Sequence, residues 1–271
     1  MTRTAIFRTI FVSAVLAISA AAQAETTESP TVLITGSNRG IGLEFVRQYA
    51  NLGWTVIATC RTPSAAEELN TIANGRANVT VEQLDVSDHA AIDALANKYR
   101  GIAIDVLLNN AGMLGDPGGQ NNFGEIDYAV MEQVYRTNTL GPLKMAEAFL
   151  AHVAASEQKK IVAITSGTAS IARVKVQENM RFFTTLYAYR LSKVALNMAM
   201  RVLAVDLHQQ GILVGILAPG IVETRLLQQA GYGGRGIAPA TSVTAVIGNI
   251  DQLTRETAGQ YTLYTGDTLP W

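Results

Sequence analysis

Tyr189 and Lys193 stand four residues apart in a stretch of helical spacing, so their side chains share one helix face. A lone tyrosine, with a pKa near 10, is a poor acid or base at neutral pH. A neighbouring ammonium favours the phenolate and lowers that value. Reduction of a carbonyl needs a proton donor beside an incoming hydride, and such a pair can supply one. Tyr187, by contrast, has Leu191 four places on. Ser166 follows the apolar run Ile161–Thr165. Its hydroxyl either orients a substrate carbonyl or caps a turn. Asn138 precedes Gly141-Pro142, where proline removes an N–H and clashes with the preceding turn. Asn138 therefore either satisfies a freed backbone group or holds a water.

Groups so far apart in sequence need a scaffold to gather them, and the pattern of the chain supplies one. Apolar runs at Thr31–Thr35, Thr55–Cys60, Val79–Leu84, Ile104–Leu108, Ile161–Thr165, Ile212–Leu217 and Tyr261–Tyr264 read as strands. Helical spacing lies between them: Ile41–Leu52, Ser64–Ile72, Ala90–Tyr99, Tyr128–Thr137, Leu143–Ala155, Tyr187–Leu207 and Ser242–Leu253. Gly141-Pro142 is expected to interrupt the fourth and fifth of these helices. Residues 221–240, with four glycines, read as a flexible lobe. Alternating strands and helices imply an α/β fold: a doubly wound parallel sheet with helices on both faces. Ligands of such sheets sit beyond the carboxyl ends of the strands, and that is where the chemistry is to be sought.

The first strand ends in Thr35-Gly36-Ser37-Asn38-Arg39-Gly40-Ile41-Gly42. Glycines let the backbone turn tightly and approach a ligand, and the helix start that follows favours a phosphate. About twenty residues beyond such a turn, an Asp or Glu commonly meets the adenosine ribose. Here the position holds Arg61, whose guanidinium suits a 2′-phosphate, and Arg39 adds charge on the same side. The pair favours NADP(H) over NAD. Asp85, followed by Val86, comes after the third strand, placed either to accept from an adenine amino group or to cap a helix. Asn109-Asn110-Ala111-Gly112 ends the fourth, either as a close approach to the cofactor or as an ordinary turn.

The 271 residues, 48% hydrophobic and 16% charged, suit one domain with a substantial core. A net charge of −1 gives no reason to expect nucleic acid as a partner. Cys60 is the single cysteine and the three histidines are scattered, so no metal site is expected. Residues 1–24 have a basic start, a short apolar run and Ala22-Gln23-Ala24, the pattern of a secretory signal peptide, with the domain occupying 25–271. Cleaved, that signal implies export; uncleaved or misread, it leaves a cytoplasmic protein. No later apolar stretch is long enough to span a membrane. The Tyr187–Leu207 stretch carries apolar residues on almost every side. One side can face the sheet, and the other faces either a second subunit or the chain's own loop.

Together, the glycine turn, Asn109–Gly112, Asn138, Ser166, Tyr189-Arg190-Leu191-Ser192-Lys193 and Pro219–Thr224 resemble the short-chain dehydrogenase/reductase family over residues 31–271. The stretch around Tyr189–Asn197 and Gly266–Trp271 look most like its C-factor-like carbonyl reductase branch. The resemblance implies a seven-stranded Rossmann-type sheet and a homodimer or homotetramer. It implies Tyr189 as acid/base, Lys193 on the nicotinamide ribose, Ser166 on the substrate oxygen and Asn138 holding a water in a proton relay. Cofactor contacts would come from Gly36–Gly42, Arg61, Asp85, Val86, Asn110, Ala111, Gly112, Tyr189, Lys193, Pro219, Gly220, Val222 and Thr224. Two departures stand out. Ser166 and Tyr189 are 23 residues apart, where many members have a gap near a dozen. That implies an insertion, Gly167–Leu186, near the substrate mouth, with Ser170 a fallback for the serine. The export signal is the second.

The expected function is NADP(H)-dependent reduction of an aldehyde or ketone, reversible to alcohol oxidation. The alternative is an NADP(H)-binding signalling or regulatory protein with little turnover.

Overall fold

The computed structural model describes residues 29–115, 123–175 and 186–271. The expected signal at 1–24, part of the polar loop after Gly112 and the middle of the insertion after Gly167 lie outside the described residues. The seven strands are β1 (Thr31–Thr35), β2 (Thr55–Cys60), β3 (Val79–Gln83), β4 (Val106–Asn109), β5 (Lys160–Ile164), β6 (Leu213–Ala218) and β7 (Tyr261–Leu263). They form one sheet in the order β3-β2-β1-β4-β5-β6-β7, parallel throughout. The order reverses between β1 and β4, the point where a doubly wound sheet opens a crevice.

Side chains alternate across the sheet. Leu33, Ile57, Leu107 and Ile161 pack on one face, against α3 (His89–Lys98), α5 (Gly141–Ala148) and α7 (Tyr187–Leu207). Val32, Ile34, Val56 and Leu108 pack on the other, against α1 (Gly40–Asn51), α2 (Glu67–Asn74) and α9 (Pro239–Asp251). Both faces being covered, the inner strands are apolar without the alternation of a half-exposed sheet, whereas the edge strand β3, Val79-Thr80-Val81-Glu82-Gln83, is mixed and partly exposed.

The expected break at Gly141-Pro142 takes another form. After α4 (Tyr128–Tyr135), the chain makes one π-helical stretch, Arg136–Leu140, and runs straight into α5. The wider turn accommodates a proline that has no N–H to give. A short α6 (Leu150–Ala154) follows. The lobe at 221–240 is not without regular structure. It holds α8 (Arg225–Gln229), and the backbones of Val222 and Ile237 pair as a parallel bridge.

α7 is not buried all round. Leu191, Met198, Val202 and Val205 are exposed along one side, while Ala188, Leu196 and Met200 face the core. No helix among the described residues is long and apolar enough to cross a membrane.

Candidate active site

The glycine turn is built against the end of β4. Gly36 takes φ +70°, and a Cβ there would meet Ala111 Cα at 2.8 Å. Asn110 donates through Nδ2 to the carbonyls of Thr35 and Gly36 at 2.9 and 3.2 Å. Thr35 Oγ1 accepts from the backbone N–H groups of Asn110 and Ala111, both at 3.0 Å. Gly42 packs so tightly that a Cβ would lie 2.1 Å from the Gly36 carbonyl oxygen. The turn is therefore a rigid cradle at the crevice between β1 and β4. No side chain caps the start of α1, which leaves its first N–H groups facing the cleft.

A cleft of about 670 Å³ opens there, within the range of small-ligand sites. It is lined by Gly36, Asn38–Gly42, Arg61, Asp85, Val86 and Asn110–Gly112 on one side. Ser166, Tyr189, Lys193, Pro219, Gly220, Val222 and Thr224 line the other. Two expected residues stand apart from it. Ser37 is fully buried, its hydroxyl donating to the Ile34 carbonyl at 2.9 Å, so it shapes the turn rather than facing the cleft. Asn138 is likewise fully buried. Its amide accepts from Met113 N at 2.9 Å and donates to Met113 O at 2.8 Å and Ser192 Oγ at 3.0 Å. The Asn138 side chain thus holds the backbone of the loop after β4 and the Ser192 hydroxyl, not a group freed at the Gly141-Pro142 break.

Asp85 is not the helix cap. It accepts from Ser87 N and Oγ at 2.9 and 2.7 Å, while Asp88 caps α3. Arg39 and Arg61 are exposed at the rim, and no ion pair involves either among the described residues.

Ser166 and Tyr189 meet despite the long sequence gap. Both line the cleft, and burial, against a smaller opposing influence of the Ser166 hydroxyl, holds the Tyr189 pKa above its usual value. Ser166 Oγ also lies 2.9 Å from Thr168 Oγ1. Ser170, the fallback serine, is consumed elsewhere: its hydroxyl donates to Pro270 O at 2.6 Å.

Lys193 is 4% exposed, and burial lowers its pKa to about 8. Its Nζ donates to Ile164 O at 2.8 Å and lies 5.8 Å from the Tyr189 ring centroid. Burial outweighs the lowering that this ammonium was expected to bring to the tyrosine pKa. The cation sits over the ring and is tied to a carbonyl, so burial of the phenol prevails.

Cleft residues that pattern did not pick out include Thr168, Leu186, Leu226 and Ala230. Thr168 follows Ser166 by two, but nothing in its spacing marks it. Among the described residues, no three His, Cys, Asp or Glu side chains gather as a metal site.

The short chain dehydrogenase family matches residues 30–232. The chain is 32% identical over 244 residues to 1-hydroxy-2-glutathionyl-2-methyl-3-butene dehydrogenase of Rhodococcus sp. (strain AD45), covering 89% of this chain and 99% of that one. It is 34% identical over 169 residues to C-signal of Myxococcus xanthus, covering 62% of this chain and 93% of the relative. The fold superposes with a TM-score of 0.81 on the NADPH-bound carbonyl reductase from chicken fatty liver, at 30% identity, over 90% of this chain and 99% of that chain. On the match across residues 30–232 and a parallel sheet whose crevice gathers Ser166, Tyr189 and Lys193, this chain belongs to the short-chain dehydrogenase family.

Proposed function

We propose that this chain is an NADP(H)-dependent oxidoreductase that reduces an aldehyde or ketone to the alcohol, reversibly. The observation that carries the reading is the gathering of Ser166, Tyr189 and Lys193 on one cleft together with the open start of α1. The cleft suits a dinucleotide phosphate. The uncapped N–H groups at Gly40–Gly42 offer donors to the pyrophosphate, and Arg39 and Arg61 bring two cations for a 2′-phosphate. Similarity to an NADPH-bound carbonyl reductase supports the same cofactor. Asp85 and Val86 face the adenine. Asn110–Gly112, the backbone after Pro219, Val222 and Thr224 hold the nicotinamide end.

When bound, the cofactor supplies a hydride. Ser166 donates a hydrogen bond to the substrate oxygen and keeps it beside Tyr189. Tyr189 holds the proton on its phenolic oxygen and gives it up as the alcohol forms. Burial, which keeps that phenol protonated, suits it to act as the acid. Lys193 binds the ribose, and its charge then faces Tyr189. Asn138 fixes the loop after β4 through Met113, and any water of the relay rests on its main-chain carbonyl.

The test is loss of NADPH absorbance across a panel of aldehydes and ketones, with NADH run in parallel. Tyr189→Phe should remove turnover and leave NADPH affinity within about twofold. Equal turnover in that variant refutes the mechanism. A regulatory protein draws support from the likeness to C-signal; NADPH binding with no turnover on any carbonyl would favour it. The exposed apolar side of α7 is read as the contact with a second copy of the chain. Residues 1–24 are read as a cleaved export signal, and the mass of the native protein after cell fractionation decides that point.

A further inference from the structure

The end of β5 is gripped residue by residue. Lys193 Nζ donates to Ile164 O at 2.8 Å. Thr165 Oγ1 donates to Asn197 Oδ1 at 2.6 Å, and Asn197 lies one turn beyond Lys193 on α7. The third grip comes from the opposite direction: the hydroxyl of Tyr261, the first residue of β7, donates to Ser166 O. Tyr261 is 1% exposed, and burial pushes its pKa up to about 12, so the hydroxyl keeps its proton.

Tyr261 is itself held by the segment that follows β7. The chain turns at Gly266 (φ +92°) and doubles back: Leu263 N donates to Asp267 O at 2.8 Å, and Leu269 N to Tyr261 O at 2.7 Å. This return brings the Trp271 ring to 5.4 Å from the Tyr261 ring, stacked at 29°. The same segment reaches the loop after Ser166 twice more. Ser170 Oγ donates to Pro270 O at 2.6 Å, and Ala172 N to Trp271 O at 2.8 Å. The loop that leaves the site serine is thus clamped at Ser166, Ser170 and Ala172 by one continuous stretch of chain, 261–271.

We propose that Tyr261 is a positioning residue for Ser166, and that the returning segment Leu269-Pro270-Trp271 is the brace that holds Tyr261 and the Gly167–Ala172 loop in register with the cleft. The proposal rests on the oxidoreductase reading for its kinetic consequence, though not for its structural one. A serine hydroxyl aims only as well as its backbone is fixed. Without the Tyr261 hydroxyl the Ser166 carbonyl keeps only the Ala169 N–H, at 2.9 Å and within its own loop, so nothing ties that loop's root to the sheet at Ser166 O and the Ser166 Oγ loses its aim toward Tyr189 while every cleft residue remains.

Two variants test it in the full chain. Tyr261→Phe removes one hydroxyl and keeps the ring on Trp271. Trp271→Ala removes the stack from a half-exposed side chain. Amide hydrogen exchange over 167–172 should quicken by about tenfold in either variant, with β1–β4 unchanged. Turnover should fall by about tenfold with NADPH affinity unaltered. The alkaline limb of the reduction profile should move to higher pH, because the Ser166 hydroxyl is what favours the Tyr189 phenolate. In the double variant with Ser166→Ala, Tyr261→Phe should add nothing, since its effect runs through Ser166. Unchanged exchange in the loop, or losses that multiply in the double variant, overturns the proposal. If the parent protein reduces no carbonyl, the oxidoreductase reading fails instead, and the exchange result alone decides whether the brace exists.

Discussion

Replacing Lys193 with methionine should abolish turnover yet stabilise the fold at neutral pH. Lys193 is 4% exposed, and burial lowers its pKa from 10.5 to about 8. At about 1.4 kcal/mol per pH unit, that drop stands for about 3 kcal/mol against the charged form. The folded value lies below the unfolded one, so between about pH 8 and 10.5 the unfolded chain binds more protons. Stability therefore rises with pH across that window, and the whole penalty is present below it. Methionine has nearly the same length and no charge to desolvate. It leaves Ile164 O without the donor that now reaches it at 2.8 Å, a cost of about 1 kcal/mol. The variant should be about 2 kcal/mol more stable than the parent near pH 7, and the advantage should vanish near pH 10. Urea unfolding followed by circular dichroism at both pH values reads the difference between the two proteins, in which their common tyrosines cancel. A variant less stable at pH 7, or an advantage that is the same at both pH values, refutes the reasoning. Either result would mean that the ammonium is hydrated or paired well enough to escape the penalty.

Gly42→Ala should cost about 1–3 kcal/mol of stability, because the new methyl would overlap the Gly36 backbone and an Asn110 amide that two hydrogen bonds hold in place. The contacts are 2.1 Å to Gly36 O and 2.5 Å to Asn110 Nδ2, so NADPH affinity should fall with it; a thermal melt and a fluorescence titration measure the two effects. Met198→Glu, on the exposed side of α7, should turn a dimer into a monomer with NADPH affinity retained, as light scattering would show. A parent protein that is already monomeric removes the reading of that face.

The strands were the most legible part of the sequence, for a physical reason. β1, β2 and β5 are buried on both faces except at Thr55, so their interiors appear as short apolar runs whose length and β-branched residues mark them as strands. The glycine turn was legible because two of its glycines are forced. Gly36 needs a left-handed φ against Ala111, and Gly42 has no room for a Cβ. What was not legible is how a polar side chain divides itself between neighbours. Ser37 belongs to the phosphate-turn pattern by position, yet its hydroxyl turns inward to Ile34. Asn138 fits a relay by position, yet its amide is spent on Met113 and Ser192. Tyr261 carries no signal at all, since a tyrosine opening a short strand looks like packing.

The distance between Ser166 and Tyr189 in sequence shows why spacing alone understates this site. They are 23 positions apart, yet both line the cleft and the Ser166 hydroxyl bears on the Tyr189 phenol. The gap has no effect on the pairing because neither residue is placed by the chain between them. Ser166 is placed by β5, whose pairing with β4 and β6 fixes the strand end, and Tyr189 by α7, which packs on the sheet through Leu196 and Met200. Lys193 and Asn197 then tie α7 to the last residues of that strand. Insertions between Ser166 and Tyr189 can therefore lengthen the loop without moving the chemistry, provided that the loop is anchored where it leaves the strand. Tyr261, Pro270 and Trp271 supply that anchor from a part of the sequence remote from both. A longer stretch between the two residues leaves more of the aim of Ser166 to the hold at its root. The brace and the wide gap are two parts of one arrangement, and loosening the first should cost more here than in a relative with the shorter gap.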